Sequence, residues 1–296
     1  MNENHTDELI NTLTVIVNEV AQGDYKNVGI LFDLTTEDKY PPKIVNLAES
    51  FGMMIVQIEA KQQHLEGLIE DLEVKKMELE RVASQLSCAN IGMLEVLGSA
   101  IAKRDSDTSA HNYRVTIHAI HLGKTLGLDN NNMSSLIKGS FLHDIGKIAI
   151  SDTILLKPAK LTFEEFEVMK THVLHGSEII SKYEWLKDAD DVVLHHHEKF
   201  NGDGYPHGLK GEKIPLNARI FCLADVFDAL TSKRPYKDRF PIDLSMEIMT
   251  AGAGSHFDPE LFRVFSKGAE EMHENLACMG ETVLAENLHN LMNNYR

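Results

Sequence analysis

Between Ile44 and Leu86 the apolar residues step by three and by four in strict alternation. The series runs Ile44, Leu47, Phe51, Met54, Ile58, Leu65, Leu68, Leu72, Leu79, Val82 and Leu86, with Lys61 and Lys75 in the same register. Alternating steps of three and four keep one stripe facing a partner helix that winds around it left-handedly. The pattern lasts six heptads, longer than the stripe of an ordinary globular helix. The segment is therefore expected to be one long helix in a parallel coiled coil, which makes the chain a homodimer. Lys61 and Lys75 interrupt the seam, and polar residues there fix register at some cost in stability. The competing reading is a long amphipathic helix packed inside one chain.

Upstream, Ile10, Leu13, Val17 and Val20 mark the apolar stripe of another helix. Gly23 and Asp24 stop it, and a connector runs through Thr35, Thr36, Pro41 and Pro42. Helix, glycine-containing connector and second helix together resemble a HAMP signalling module over residues 8–60. Tyr40-Pro41-Pro42-Lys43 stands where that family usually has an acidic residue followed by glycine. From about residue 90 histidine becomes dense, and the segments read as helices joined by polar loops. No alternating strand pattern of useful length appears. A C-terminal helix is expected from about Phe257 to Asn294.

Charge and composition exclude several function classes. The formal net charge is −16, which repels nucleic acid and anionic lipid, so neither is an expected partner. No apolar run of about 18 residues occurs, so no membrane span is expected. The polar, acidic start MNENHTDELINTL lacks a secretory pattern, and the protein is read as cytoplasmic. Cys88, Cys222 and Cys278 are far apart and odd in number, which argues against a disulfide framework or a thiolate zinc site.

The chemistry lies in the second half. His143-Asp144, in FLHDIGK, places an imidazole and a carboxylate side by side, expected on one helix. Alone the pair is common. Here it is accompanied by His111, His172, the run His196-His197-Glu198 and Asp225. Imidazoles and carboxylates without thiolate suit iron, manganese or similar divalent ions. Ligands spread over separate helices are typical of a metal site in a bundle core.

HDIGK, then HHE, then GDGYP, then ADVFDALTSKRPYK resemble the HD-GYP family, a branch of the HD-domain phosphohydrolases. The blocks occur in order over about residues 95–265. The resemblance implies an all-α, helical metal-binding bundle, which the heptad pattern and the HAMP-like segment precede with a helical dimerisation and coiled-coil module. The chain is expected to divide into residues 1–60, a HAMP-like signalling or dimerisation module; 61–90, a coiled-coil linker; and 91–296, the catalytic domain with its C-terminal helix. The resemblance implies two or three divalent ions, iron or manganese, and hydrolysis of cyclic di-GMP to pGpG or GMP. Some members act on cyclic GMP-AMP.

Carried over by position, the metal ligands fall on His111, His143, Asp144, His172, His196, His197 and Asp225, with Asp144 bridging two ions. Asp107 stands where members with three metals carry a glutamate; it either binds a third ion or caps a helix. Lys147 corresponds to the lysine beside the site. Arg234 and Lys237 correspond to the phosphate-binding pair, where a guanidinium fork suits a phosphodiester. Gly204, Tyr205 and Pro206 belong to a loop shaping the substrate pocket. His118, His121, His175 and His195 read as helix-face residues, and Asp228 as support for a ligand or a lysine. Two other readings share part of this pattern: an HD phosphohydrolase for another nucleotide, and a catalytically silent cyclic di-GMP receptor.

Overall fold

The computed structural model describes residues 3–36, 40–104, 109–232, 239–292 and 295. No strand forms among them, so the chain is all-α. Its contacts divide it into two units, Met1–Ala83 and Ser84–Arg296. No described helix is long and apolar enough to cross a membrane.

In the first unit, α1 spans Glu3–Ala21, α2 spans Gly29–Thr36, and α3 begins at Pro42 and runs to Arg104. Leu13, Ile16 and Val20 of α1 are buried with Leu31 and Leu34 of α2 and with Ile44, Ala48 and Ile55 of α3. Two expectations are corrected. Ile16, not Ile10, completes the buried stripe, and Ile10 is exposed. The supposed connector also folds: Leu31 and Leu34 share one face over a turn and complete the small core as α2. Gly23 does end the first segment, at φ +85°, in the left-handed region that glycine enters without a Cβ penalty.

The expected long helix is one continuous element of 63 residues. Along its middle the heptad positions face solvent: Leu72 is 66% exposed and Leu79 70%. Among the described residues this stretch is thus not packed inside its own chain.

The second unit contains α4 (Ser109–Thr125), α5 (Asn130–Leu142), α6 (Asp152–Leu155), α7 (Phe163–Lys170), α8 (His172–Ile180), α9 (Asp190–His195), α10 (Leu216–Thr231), α11 (Ile242–Gly252), α12 (Pro259–Phe265), α13 (Ala269–Ala277) and α14 (Glu281–Met292). Helix α4 packs on α5, α10 and α14, and α9 packs on both α5 and α10. Ile117, Ile120, Leu136, Leu142, Phe221 and Phe227 fill the space between them. Two glycines set close approaches. A Cβ on Gly139 would lie 2.5 Å from Val192 Cβ, and one on Gly146 would lie 1.8 Å from the His172 carbonyl oxygen. Helix α9 is thereby seated on α5, and α8 on the 3-10 segment Ile145–Ala149 that follows the His-Asp pair.

The expected single C-terminal helix is three. Asp258 caps α12 by accepting from the backbone N–H groups of Glu260 and Leu261, with Pro259 in the first turn. Gly268 precedes α13 and Gly280 precedes α14. An aspartate-proline start and two glycines outweigh the apolar periodicity that suggested continuity.

Candidate metal centre

The centre is assembled from five helices and the 3-10 segment. His111 comes from the first turn of α4. His143 caps the C-terminus of α5. Asp144 follows with φ −99° and ψ 9°, outside helical geometry, and opens the 3-10 segment. The His-Asp pair is therefore not on one helix as expected. The chain leaves α5 between these residues, because Gly146 must tighten against the α8 backbone. His172 starts α8, His196 and His197 follow α9, and Asp225 projects from α10.

Two groups of potential ligand atoms converge, each within 4.8 Å: His111, His143 and Asp225 in one, His172, His196 and His197 in the other. Asp144 reaches both. Its Oδ2 lies 3.0 Å from His143 Nε2 and its Oδ1 3.5 Å from His172 Nε2. Lys147 Nζ lies 2.7 Å from Asp144 Oδ2.

The imidazoles are held by their Nδ1 atoms, which leaves Nε2 for the centre. His143 Nδ1 donates to the Ser140 carbonyl at 2.8 Å and His172 Nδ1 to that of Met169 at 2.8 Å. His196 Nδ1 donates to the Val192 and Val193 carbonyls, at 3.1 Å each. His111 Nδ1 sits 2.7 Å from Asp228 Oδ2. A ligand imidazole is typically anchored this way, its other ring nitrogen donating to a carbonyl or carboxylate.

The fit to a cation follows from two buried atoms. His172 Nε2 and His196 Nε2 have no hydrogen-bond partner. The 3.5 Å approach of Asp144 to the former is not aligned as a hydrogen bond. A buried polar atom left unpaired is costly, and a metal would satisfy both. Burial also pushes His172, His196 and His197 down, His197 to about 3, so these rings are neutral and ligand-competent at neutral pH. Burial alone would lower His143, but Asp144 outweighs it and raises His143 to about 9. Against the same burial, His143, Lys147 and His172 hold the Asp144 carboxyl well below its usual range.

Sequence similarity agrees with this geometry. A family profile described as HD domain matches residues 95–261. The chain belongs to the HD domain family. It is 33% identical to the cyclic di-GMP phosphodiesterase response regulator RpfG of Xanthomonas campestris, over 91% of this chain and 70% of that protein. It is 40% identical to a 3′3′-cGAMP-specific phosphodiesterase of Vibrio cholerae over 59% of this chain, spanning 34% of that relative. A cyclic di-GMP phosphodiesterase of Thermotoga maritima is 37% identical over 61% of this chain, which spans half of it. The solved structure of a cyclic GMP-AMP specific phosphodiesterase from Vibrio cholerae aligns with TM-score 0.53 over 67% of this chain and 53% of that one. At 21% identity, that is a likeness of fold.

In this HD domain the GYP loop stands beside the second triad. Tyr205 stacks on His197 with ring centroids 4.7 Å apart and planes at 32°. Gly204 lies so close that a Cβ would be 2.3 Å from the Lys199 backbone nitrogen. Pro206 follows, half-buried. Asp107, Arg234 and Lys237 lie outside the described residues. His121, His175 and His195 are half-buried, and His118 is buried against Phe227 and Phe265; none joins either triad.

Arg114 and Arg104 are supporting residues that the sequence did not single out, and Glu198 takes a role apart from its two neighbours. Glu198 faces away from the triads and accepts from the backbone N–H groups of His207 and Leu209, at 2.8 and 3.0 Å, pinning the loop. Asp228 supports His111 as expected, but its cationic partner is Arg114, not a lysine, with Nε to Oδ1 at 2.5 Å. The spacing of three residues between His111 and Arg114 on α4 was the available signal. Arg104, in the last turn of α3, donates to the carbonyls of Lys147 and Ile148 and, at 2.8 Å, of Ile150, and meets Asp152 at 3.1 Å. It thus ties the end of α3 to the segment that carries Asp144 and Lys147.

Proposed function

We propose that this HD-domain phosphodiesterase hydrolyses cyclic di-GMP to pGpG, GMP or both. The observation that carries the reading is Asp144, in contact with a histidine of each of two adjacent triads. That arrangement suits two divalent ions sharing one carboxylate, iron or manganese by donor type. Asp107 is the candidate ligand of a third. Bound there, such ions supply an activated water at neutral pH and neutralise phosphoryl charge.

The chain's own groups do the rest. Asp144 holds Lys147 Nζ at 2.7 Å, an ammonium beside the centre. Lys147 protonates the 3′ oxygen as its bond to phosphorus breaks and the new bond to water oxygen forms. Arg234 and Lys237 grip the non-bridging phosphate oxygens. Tyr205, stacked on His197, walls the substrate side. The exposed heptad face of α3 pairs with a second copy, and the N-terminal module regulates the enzyme through that helix.

The test is hydrolysis with metal counted. Protein purified without oxygen is assayed for iron and manganese, then given cyclic di-GMP and, separately, 3′3′-cGAMP, because relatives act on each. Turnover of cyclic di-GMP by metal-loaded protein is expected. Binding without turnover would overturn the reading in favour of a receptor, and faster cleavage of 3′3′-cGAMP would reassign the substrate.

A further inference from the structure

Helix α7 is anchored by polar contacts. Thr162 and Glu165 form a reciprocal cap at its start, and Lys157 Nζ reaches Glu165 at 2.5 and 2.8 Å. None of its residues is buried. Phe163 is 75% exposed and Phe166 45%. A short helix that keeps two phenylalanines in solvent beside a catalytic centre needs a reason, since solvated apolar surface is unfavourable.

The surroundings supply one. Phe166 meets Tyr205 edge to face, centroids 6.4 Å apart at 83°, and Tyr205 in turn stacks on His197. An aromatic wall therefore leads outward from the second triad to α7. Lys170 Nζ, paired with Glu167 at 2.6 Å, stands 5.6 Å from the Phe166 centroid and 5.8 Å from that of Tyr205. In a cyclic dinucleotide each phosphate is flanked by a nucleoside, so a phosphodiester at the triads carries a base within reach of this wall.

We infer that Phe166 and Lys170 form a base-binding subsite that stacks one purine of the substrate and prefers guanine. The inference rests on the cyclic dinucleotide reading above. Every base offers a face to an aromatic ring, so stacking gives affinity without selectivity. Selectivity comes from Lys170, which has only protons to donate. Guanine presents two acceptors, O6 and N7, on the edge where adenine presents one acceptor and an amino donor.

Steady-state kinetics on the metal-loaded enzyme test this, with metal content measured on every variant. Phe166→Ala is expected to raise KM for cyclic di-GMP about tenfold, in line with the loss of one stacked base, with kcat and metal content within about twofold. Phe166→Leu keeps the bulk but not the π-face and should fall between. Val168→Ala, two residues along and on another side of the helix, should match the wild type. Lys170→Met should reduce the preference for cyclic di-GMP over its diadenylate analogue. Unchanged KM in Phe166→Ala, or equal losses of kcat and metal, would overturn the subsite while leaving the enzyme reading intact. A wild-type enzyme that cleaves no cyclic dinucleotide would overturn that reading, and the subsite with it.

Discussion

The two triads present similar rings to the centre but are backed by different materials. His111 is backed at Nδ1 by the Asp228 carboxylate, while His143 rests its Nδ1 on the Ser140 carbonyl and meets the Asp144 carboxylate at Nε2. His172 and His196 rest their Nδ1 atoms on main-chain carbonyls. The proton affinities divide the same way: burial prevails in the second triad and lowers its histidines, whereas carboxylate charge prevails at His143. A carboxylate behind a ligand imidazole raises its basicity, and a carbonyl mainly fixes its tautomer and orientation. The first triad can therefore be detuned through a supporting side chain. The second can be altered only by removing a ligand or moving the backbone.

Asp144 is where that division fails, because it touches both halves. Asp144→Ala should lower metal at both triads and reduce turnover on the order of a thousandfold or more. Metal per chain and initial rate, measured on one preparation, decide it. Full metal occupancy in the variant would show that the triads hold their ions independently.

A finer cut separates the halves. Asp228→Asn keeps the shape but removes the charge that His111 and Arg114 share. It should weaken metal binding at the first triad about 10- to 100-fold and spare the second. His196→Ala should do the reverse, emptying the second triad and sparing the first. Titration of metal-free protein with manganese resolves the two phases. Equal weakening of both phases by Asp228→Asn would mean that the centre responds as one unit.

Arg104 acts on neither triad directly. Its guanidinium serves three carbonyls of the segment that carries Lys147. Arg104→Ala should leave metal content unchanged and lower kcat about fivefold to tenfold, by an amount of the order of one ordinary hydrogen bond. Partial recovery in Arg104→Lys, and an unchanged KM, would mark positioning and not lost fold. A kcat equal to wild type would show that Arg104 does not position Lys147.

Much of this was legible in the sequence, for identifiable reasons. The residues of the two triads were legible because imidazoles and carboxylates recur in a fixed order, and the fold does bring them together. The long helix was legible because an unbroken alternation of three and four has a mean period of 3.5, close to the helical repeat and far from the strand period of two. What failed depended on tertiary geometry. Glu198 follows two triad histidines in sequence, yet its carboxylate turns to the loop backbone, and no spacing rule shows that. Asp144 leaves the helix because Gly146 packs against the His172 carbonyl, a contact made with another element. Helix α2 forms because Leu31 and Leu34 find a core supplied by α1 and α3. The breaks at Asp258-Pro259, Gly268 and Gly280 were readable, but the apolar period of the C-terminal segment runs across them and masks them.

His118 supplies the control for the whole comparison, a buried histidine that serves neither triad. It is 1% exposed, lies edge-on to Phe227 at 5.2 Å, and its Nδ1 has no partner. Burial pushes it down to about 4; Asp228 pulls the other way, and His273, Arg114 and His121 add to the lowering. The folded protein therefore keeps this ring neutral between about pH 4 and 6.5, where the unfolded chain takes up a proton. In that window the unfolded state binds more protons, so stability rises with pH and falls as the solution is acidified. The loss is about 1 kcal/mol on going from pH 7.5 to 6. His118→Leu cannot titrate, and its unfolding midpoint should drop less over the same interval, by a few degrees. Thermal melts of both proteins at the two pH values give the answer. Parallel slopes would place the acid sensitivity in other histidines lowered by burial, those of the second triad and His121, His256 and His273 among them.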